Sequence, residues 1–184
     1  FRGFGANQAQ FAMEGVMDRL AEKVGISGWE IRSRNVITPG AVWGPGQIMD
    51  DGCLGARACL DDVKEAYDDA VAGGLPVGLG LGLKSSGLGN GFKEIARAVV
   101  HFRHDGRIEV RHCWTEMGQG IDTMAAAIGA EAVGVPIELV RILHSDTALT
   151  PQDHGTTASR ATFHTGNAVL DAGTKLRAEL LSTA

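Results

Sequence analysis

Apolar positions recur at helical spacing over residues 7–24. Phe11, Val16, Leu20 and Val24 fall near one stripe, and Asp18, Arg19, Glu22 and Lys23 are left for the opposite face. Gly25 supplies a stop. Ser27-Gly28-Trp29-Glu30 has the spacing of a capping box and predicts a short second helix ending near Asn35. Residues 36–57 carry Pro39-Gly40 and Pro45-Gly46 and are predicted to be irregular. A third helix is predicted over 58–72, with Val63, Ala66, Tyr67 and Ala70 on one side.

Beyond Gly73 the character shifts, and a sub-domain seam is placed there. Val77 to Leu83 alternates glycine with apolar residues, which predicts a closely packed strand. A glycine loop follows at 87–91. Ile95–Arg103 and Arg107–Trp114 read as two strands joined by His104-Asp105-Gly106, a hairpin signal. A helix is predicted from Asp122 to Val133 and stopped by Gly134. Pro136–His144 is predicted as a further strand, 145–156 as a polar loop and 160–182 as a last helix. The order is three helices, three strands, helix, strand, helix. That is an α+β arrangement of mixed strands with flanking helices. No fixed-period repeat or flexible linker interrupts it, so residues 1–184 are taken as one unit.

Composition narrows the classes. With 184 residues, 44% hydrophobic and 21% charged, the chain has the makings of an ordinary folded core. A net charge of −5 without a basic run argues against nucleic acid as a partner. No stretch approaches the roughly 20 apolar residues of a membrane span. Cys53, Cys59 and Cys113 are sparse and form no C-x-x-C, which argues against a disulfide framework, a zinc site or an iron–sulfur cluster held here alone. The six histidines have no metal-ligand spacing, and no nucleophile elbow occurs. A start at Phe1 inside a motif suggests a fragment of a longer chain, and a cytoplasmic setting is expected.

Four glycine-containing segments could carry chemistry. In Phe1-Arg2-Gly3-Phe4-Gly5, Arg2 offers a planar fork of donors and Phe4 an aromatic face; an ordinary turn is the alternative. Gly87 to Gly91 loosely echoes a dinucleotide loop, which would require a helix directly after Gly91. Glu116-Met117-Gly118-Gln119-Gly120 precedes a helix, whose N-terminal amides suit an anionic or sulfur-rich ligand. Glu116 reads either as a general base or as a structural carboxylate beside the turn. Gly155 to Arg160 opens the last helix, and Thr156, Thr157 and Ser159 could cap it or hold a phosphate or pterin edge. No protein nucleophile or complete acid–base pair emerges. Donor-rich loops beside helix starts are what a cradle for an anionic cofactor requires.

FRGFGANQAQFAMEG at 1–15, TEMGQGIDT at 115–123 and TTASRATFHTGNAV at 156–169, in this order, resemble the molybdenum-binding subunit of the xanthine dehydrogenase and aldehyde oxidase family. The resemblance covers essentially the whole chain and leans toward a bacterial xanthine dehydrogenase-like branch. It implies part of a molybdopterin-binding domain and, for the whole protein, hydroxylation of a purine, N-heterocycle or aldehyde with water as oxygen source. It implies that Arg2, Gly118, Gln119, Gly120, Ala158, Ser159 and Arg160 face molybdopterin, with the cytosine dinucleotide form left open. Phe4, Leu88 and Gly89 fall at substrate positions. Leu88 and Gly89 stand nearest to where xanthine oxidases carry a second aromatic and a threonine, so purine specificity does not follow.

The resemblance puts the catalytic glutamate downstream of residue 184. No catalytic residue and no protein metal ligand are therefore assigned to this segment. Iron–sulfur clusters and FAD are expected only on other domains or subunits, within a homo- or hetero-oligomer. A non-catalytic cofactor-binding or structural module of the same fold is the alternative.

Overall fold

The computed structural model describes residues 3–44, 46–84, 86–89 and 91–183, and for Cys53 and Leu54 the backbone alone. Two compact units result, residues 1–85 and 86–184.

The first unit opens with α1 (Ala6–Val24). The Gln8 side chain accepts a hydrogen bond from the Gly5 amide at 2.9 Å, and Gly25 ends the helix in the left-handed conformation. Ser27 caps α2 (Gly28–Asn35), its hydroxyl accepting from the Glu30 amide at 3.0 Å. The two helices are joined by Arg32, which is 2% exposed. Its guanidinium meets Glu14 at 2.6 Å and Asp18 at 2.8 Å, and donates to the Gly28 carbonyl at 2.8 Å. A two-residue hairpin follows, β1 (Val42–Trp43) against β2 (Gln47–Ile48), and then a 3₁₀ turn at Asp51–Leu54. The predicted third helix is two, α3 (Gly55–Asp62) and α4 (Lys64–Ala72), broken at Val63. Trp29 Nε1 donates to the Leu60 carbonyl at 2.8 Å, docking α2 on α3.

The strand predicted over Val77–Leu83 is absent. This extended run pairs with no strand; side chains of α1 hold it instead. Glu14 accepts from the Leu81 amide at 2.9 Å, and Gln10 Nε2 donates to the Leu83 carbonyl at 2.6 Å. The alternation signals an extended chain, and here it is a largely exposed one tied down by side chains at Leu81 and Leu83.

The second unit contains a three-stranded sheet, β3 (Val99–Phe102), β4 (Ile108–His112) and β5 (Val140–His144), in that order. The pair β3–β4 is the predicted hairpin, with Val100 opposite Val110. The pair β4–β5 is parallel and is connected through α5 (Ile121–Val133), which makes one βαβ unit inside an α+β chain. Residues 137–139 wind into a 3₁₀ turn, so β5 begins later than predicted. The last helix, α6 (Ala161–Thr183), packs on α5. Ile108, Val110, Ala125, Val133 and Val169 form the core. The helices approach closely because Gly173 faces Ala132: a Cβ at Gly173 would lie 2.6 Å from the Ala132 Cβ. This unit brings the end of β4, the start of α5 and the start of α6 to a common edge.

Candidate cofactor site

The turn between β4 and α5 is closed by its own side chains. Glu116 accepts from the amides of Gly118 at 2.7 Å, Gly120 at 3.1 Å and Asp122 at 3.2 Å. These bonds, the one from Gly120 foremost, hold its carboxyl below the usual carboxylate range. The carboxylate therefore already occupies the amides at the start of α5, which were expected to be open to a ligand. Glu116 is the structural carboxylate of the turn. Gln119 is likewise engaged: its Oε1 accepts from the Met117 amide at 2.6 Å, and its Nε2 donates to the Thr115 carbonyl at 2.7 Å. Gly118 and Gly120 are left-handed, with φ of 93° and 81°, and a Cβ at either would meet nothing within 4 Å. The turn thus presents bare backbone to open space.

The loop before α6 is tied to this turn. Thr156 Oγ1 accepts from the Thr115 amide at 2.6 Å. Asp153 takes hydrogen bonds from Trp114 Nε1 at 3.0 Å, Cys113 Sγ at 2.8 Å and the Gly155 amide at 2.8 Å. Burial pushes the Asp153 carboxyl up, but these donors outweigh it and the net shift is downward. Burial, aided by Asp153, raises the Cys113 thiol. Ala158 and Ser159 are both left-handed, with φ of 58° and 52°. Such residues carry strain of order 1–3 kcal/mol each and persist only where their surroundings hold them.

Arg160 is what holds them. Its side chain is 1% exposed, its guanidinium lies 4.7 Å from the Trp114 ring centroid, and it donates to Glu94 at 2.8 Å and to the Gly155 carbonyl at 2.9 Å. Glu94 also accepts from the Leu88 amide, and the Gly87 amide donates to the Ala158 carbonyl at 2.9 Å. The Leu88 bond first, then Arg160 and His164, holds the Glu94 carboxyl low against the opposing effect of burial. No helix follows Gly91: the chain runs irregularly to β3 at Val99, which removes the dinucleotide-loop reading.

Within the second unit the loop at Gly87–Leu88 is bonded to the Ala158–Arg160 segment, directly and through Glu94, and the turn that holds Gly118–Gly120 is tied to the same loop one step away, through Thr115 and Thr156. Phe4 lies in the first unit, 81% exposed, just before α1. Arg2 lies outside the described residues. Sequence reasoning missed Glu94, Trp114 and Asp153, whose partners are 66 and 39 residues away in the chain and leave no local signal. It also missed a stacked pair at the ends of β4 and β5. The rings of His112 and His144 are 5.6 Å apart and 8° from parallel, with Asp122 3.2 Å from His144 Nε2. Among the described residues, no group of three or more His, Cys, Asp or Glu could hold a metal ion.

The fold and the loops gathered at its edge are those of a cofactor-binding domain. Two family models, both described as molybdopterin cofactor-binding domain, match residues 54–184 and 1–36, and the chain belongs to that family. It is 32% identical over 181 residues to the aldehyde oxidoreductase of Megalodesulfovibrio gigas, which covers 92% of this chain and 20% of that protein. It is 33% identical over 194 residues to a putative xanthine dehydrogenase molybdenum-binding subunit of Escherichia coli K12, covering 100% of this chain and 26% of that one. The crystal structure of the aldehyde oxidoreductase from Desulfovibrio desulfuricans superposes with a TM-score of 0.80 at 27% identity, over 96% of this chain and 20% of its own. The chain thus spans about a fifth to a quarter of the length of these relatives.

The residues fit such a group in a particular way. A pterin presents a row of ring nitrogens, a carbonyl and an amine, and its side chain carries phosphate. The Gly118 and Gly120 amides and the Gln119 side chain are spent on closing the turn, so what the turn offers a flat ring is open space beside the two glycines, and the second loop offers the left-handed backbone of Ala158 and Ser159. The fit is through backbone, because the guanidinium of Arg160 is engaged within the loop.

Proposed function

We propose that this chain is the cofactor-cradling part of a molybdenum hydroxylase, an oxidoreductase that hydroxylates a purine, another N-heterocycle or an aldehyde with water as the oxygen source. The observation that carries the reading is the linkage of three loops in the second unit, Gly87 to Ala158 and Thr115 to Thr156, with Ala158 and Ser159 held left-handed. When bound, molybdopterin supplies the oxidising molybdenum centre. This chain's own residues bind and orient. Gly118, Gln119, Gly120, Ala158 and Ser159 meet the pterin, and Arg160 fixes the backbone of its own loop; for Arg2 a cofactor contact rests on the match of its sequence motif alone. Leu88 and Gly89 face substrate, and for Phe4 a substrate role rests on the match of its sequence motif alone.

Leu88 and Gly89 leave the substrate pocket with an aliphatic wall, which favours a heterocycle or aldehyde that does not require a second stacking ring. Glu116 is committed to three amides and is not offered as the base, a role that the resemblance places downstream. The cytosine dinucleotide form, iron–sulfur and FAD partners on other domains or subunits, and a cytoplasmic setting complete the proposal. The Escherichia coli relative's description as a subunit supports a multi-subunit assembly. Among the described residues, no helix is long and apolar enough to cross a membrane.

The test is metal and pterin analysis of the full-length protein expressed with ample molybdate, followed by assays on hypoxanthine, xanthine and aldehydes. Stoichiometric molybdenum with turnover of one class is expected. A folded protein free of molybdenum and pterin would overturn the reading.

A further inference from the structure

Glu94 stands outside all three motif segments, yet it touches two of them. One carboxylate oxygen accepts from the Leu88 amide in the glycine loop. The other meets Arg160 at 2.8 Å and lies 3.6 Å from His164 Nε2. Arg160 is buried, with a side-chain exposure of 1%, and Glu94 is partly exposed at 23%. Gly87 adds a direct bond from the same loop to the Ala158 carbonyl at 2.9 Å. Gly87 is itself constrained, because a Cβ there would lie 3.0 Å from Glu94 Oε1.

An arrangement with one carboxylate between a backbone amide and a buried guanidinium is rigid. The guanidinium is anchored on its other side by the Gly155 carbonyl and across its face by Trp114. Neither loop can shift without breaking a charge-assisted bond whose guanidinium side is buried. Ala158 and Ser159 lie between two of these anchors, the Ala158 carbonyl and the Arg160 guanidinium, so the clamp also maintains their strained backbone.

We infer that Glu94 is a positioning residue that locks the Leu88–Gly89 loop to the Ala158–Arg160 segment, so that substrate wall and cofactor cradle keep one fixed spacing. This rests on the proposed function. It assigns a coupling between substrate binding and cofactor retention to a residue that touches neither. Removing the charge of Glu94 should therefore loosen both sides together, whereas a residue serving only stability would lower yield and leave both constants alone.

The experiment uses the full-length protein and its Glu94→Gln variant, with Glu94→Asp as the conservative partner. Pterin release is followed by fluorescence after oxidation, and kinetics are normalised to bound molybdenum. Glu94→Gln should release pterin roughly tenfold faster and raise KM by about the same factor, with kcat per molybdenum within about twofold. Glu94→Asp should recover part of both. A Glu94→Gln variant that holds pterin as tightly as wild type with an unchanged KM would overturn the inference, as would a change in only one of the two. Wild type devoid of pterin would instead defeat the proposed function.

If Glu94→Gln does not accumulate, hydrogen exchange on the wild-type holoprotein decides. The Gly87 and Leu88 amides should exchange slowly and at matching rates, and fast exchange at either overturns the inference.

Discussion

Glu116 Oε1 accepts a hydrogen bond from the Gly118 amide at 2.7 Å, so the turn before α5 is closed by a carboxylate two residues upstream. The same carboxylate serves the first turn of the helix, where negative charge is favoured. Its pKa is lowered in the folded protein. The stability it confers is complete above its unfolded value, near the ordinary 4.5, and is lost as pH falls through the lower folded value. Glu116→Gln should lower Tm at pH 7 and flatten the dependence of Tm on pH below about 4.5. Melting curves from pH 7 to 3.5 check this, and parallel curves for variant and wild type would count against it.

His112 should give a second, separate pH effect. It is fully buried and stacked on His144, and desolvation pushes its pKa below the usual 6.5. The unfolded chain then takes up a proton that the folded one refuses. Stability is therefore full above 6.5 and falls as pH drops below it toward the folded value. His112→Asn should remove this slope between pH 6.5 and 5, read from denaturation midpoints. An unchanged slope would place the effect on another group.

Arg32→Met should destabilise the first unit. Breaking a fully buried ion pair costs about 3–5 kcal/mol, but Glu14 and Asp18 remain 23% and 50% exposed and can be rehydrated. A loss of about 2 kcal/mol is expected, measured by urea unfolding of the full-length protein with a probe at Trp29.

The close approach of α5 and α6 makes Gly173 sensitive to a single methyl group. Gly173→Ala puts a carbon 2.6 Å from the Ala132 Cβ and should cost about 1–3 kcal/mol by overpacking. A denaturation midpoint equal to wild type would mean that the helices separate freely.

Much of the fold was legible because it is locally encoded. Helical spacing and caps located α1, α2, α5 and α6 within a residue or two, and Asp105-Gly106 located the β3–β4 hairpin. The failures share a cause. Val77–Leu83 has the alternation of a strand, but strand formation depends on a partner, and here Glu14 and Gln10 take that place. The parallel pairing of β4 with β5 is equally non-local. At the site, the open glycines and the capping carboxylate could be read from TEMGQG. The lock could not, because Glu94 and Arg160 are 66 residues apart and each alone is an ordinary charged residue.

The long chain separations that close the site have an entropic corollary. Thr115 meets Thr156 across 41 residues, and Glu94 meets Arg160 across 66. Contacts of this reach cost more chain entropy to close than those of a single helix or hairpin. No short stretch of the polypeptide therefore reproduces this edge by itself, and a cut anywhere between Glu94 and Arg160 would set its halves apart.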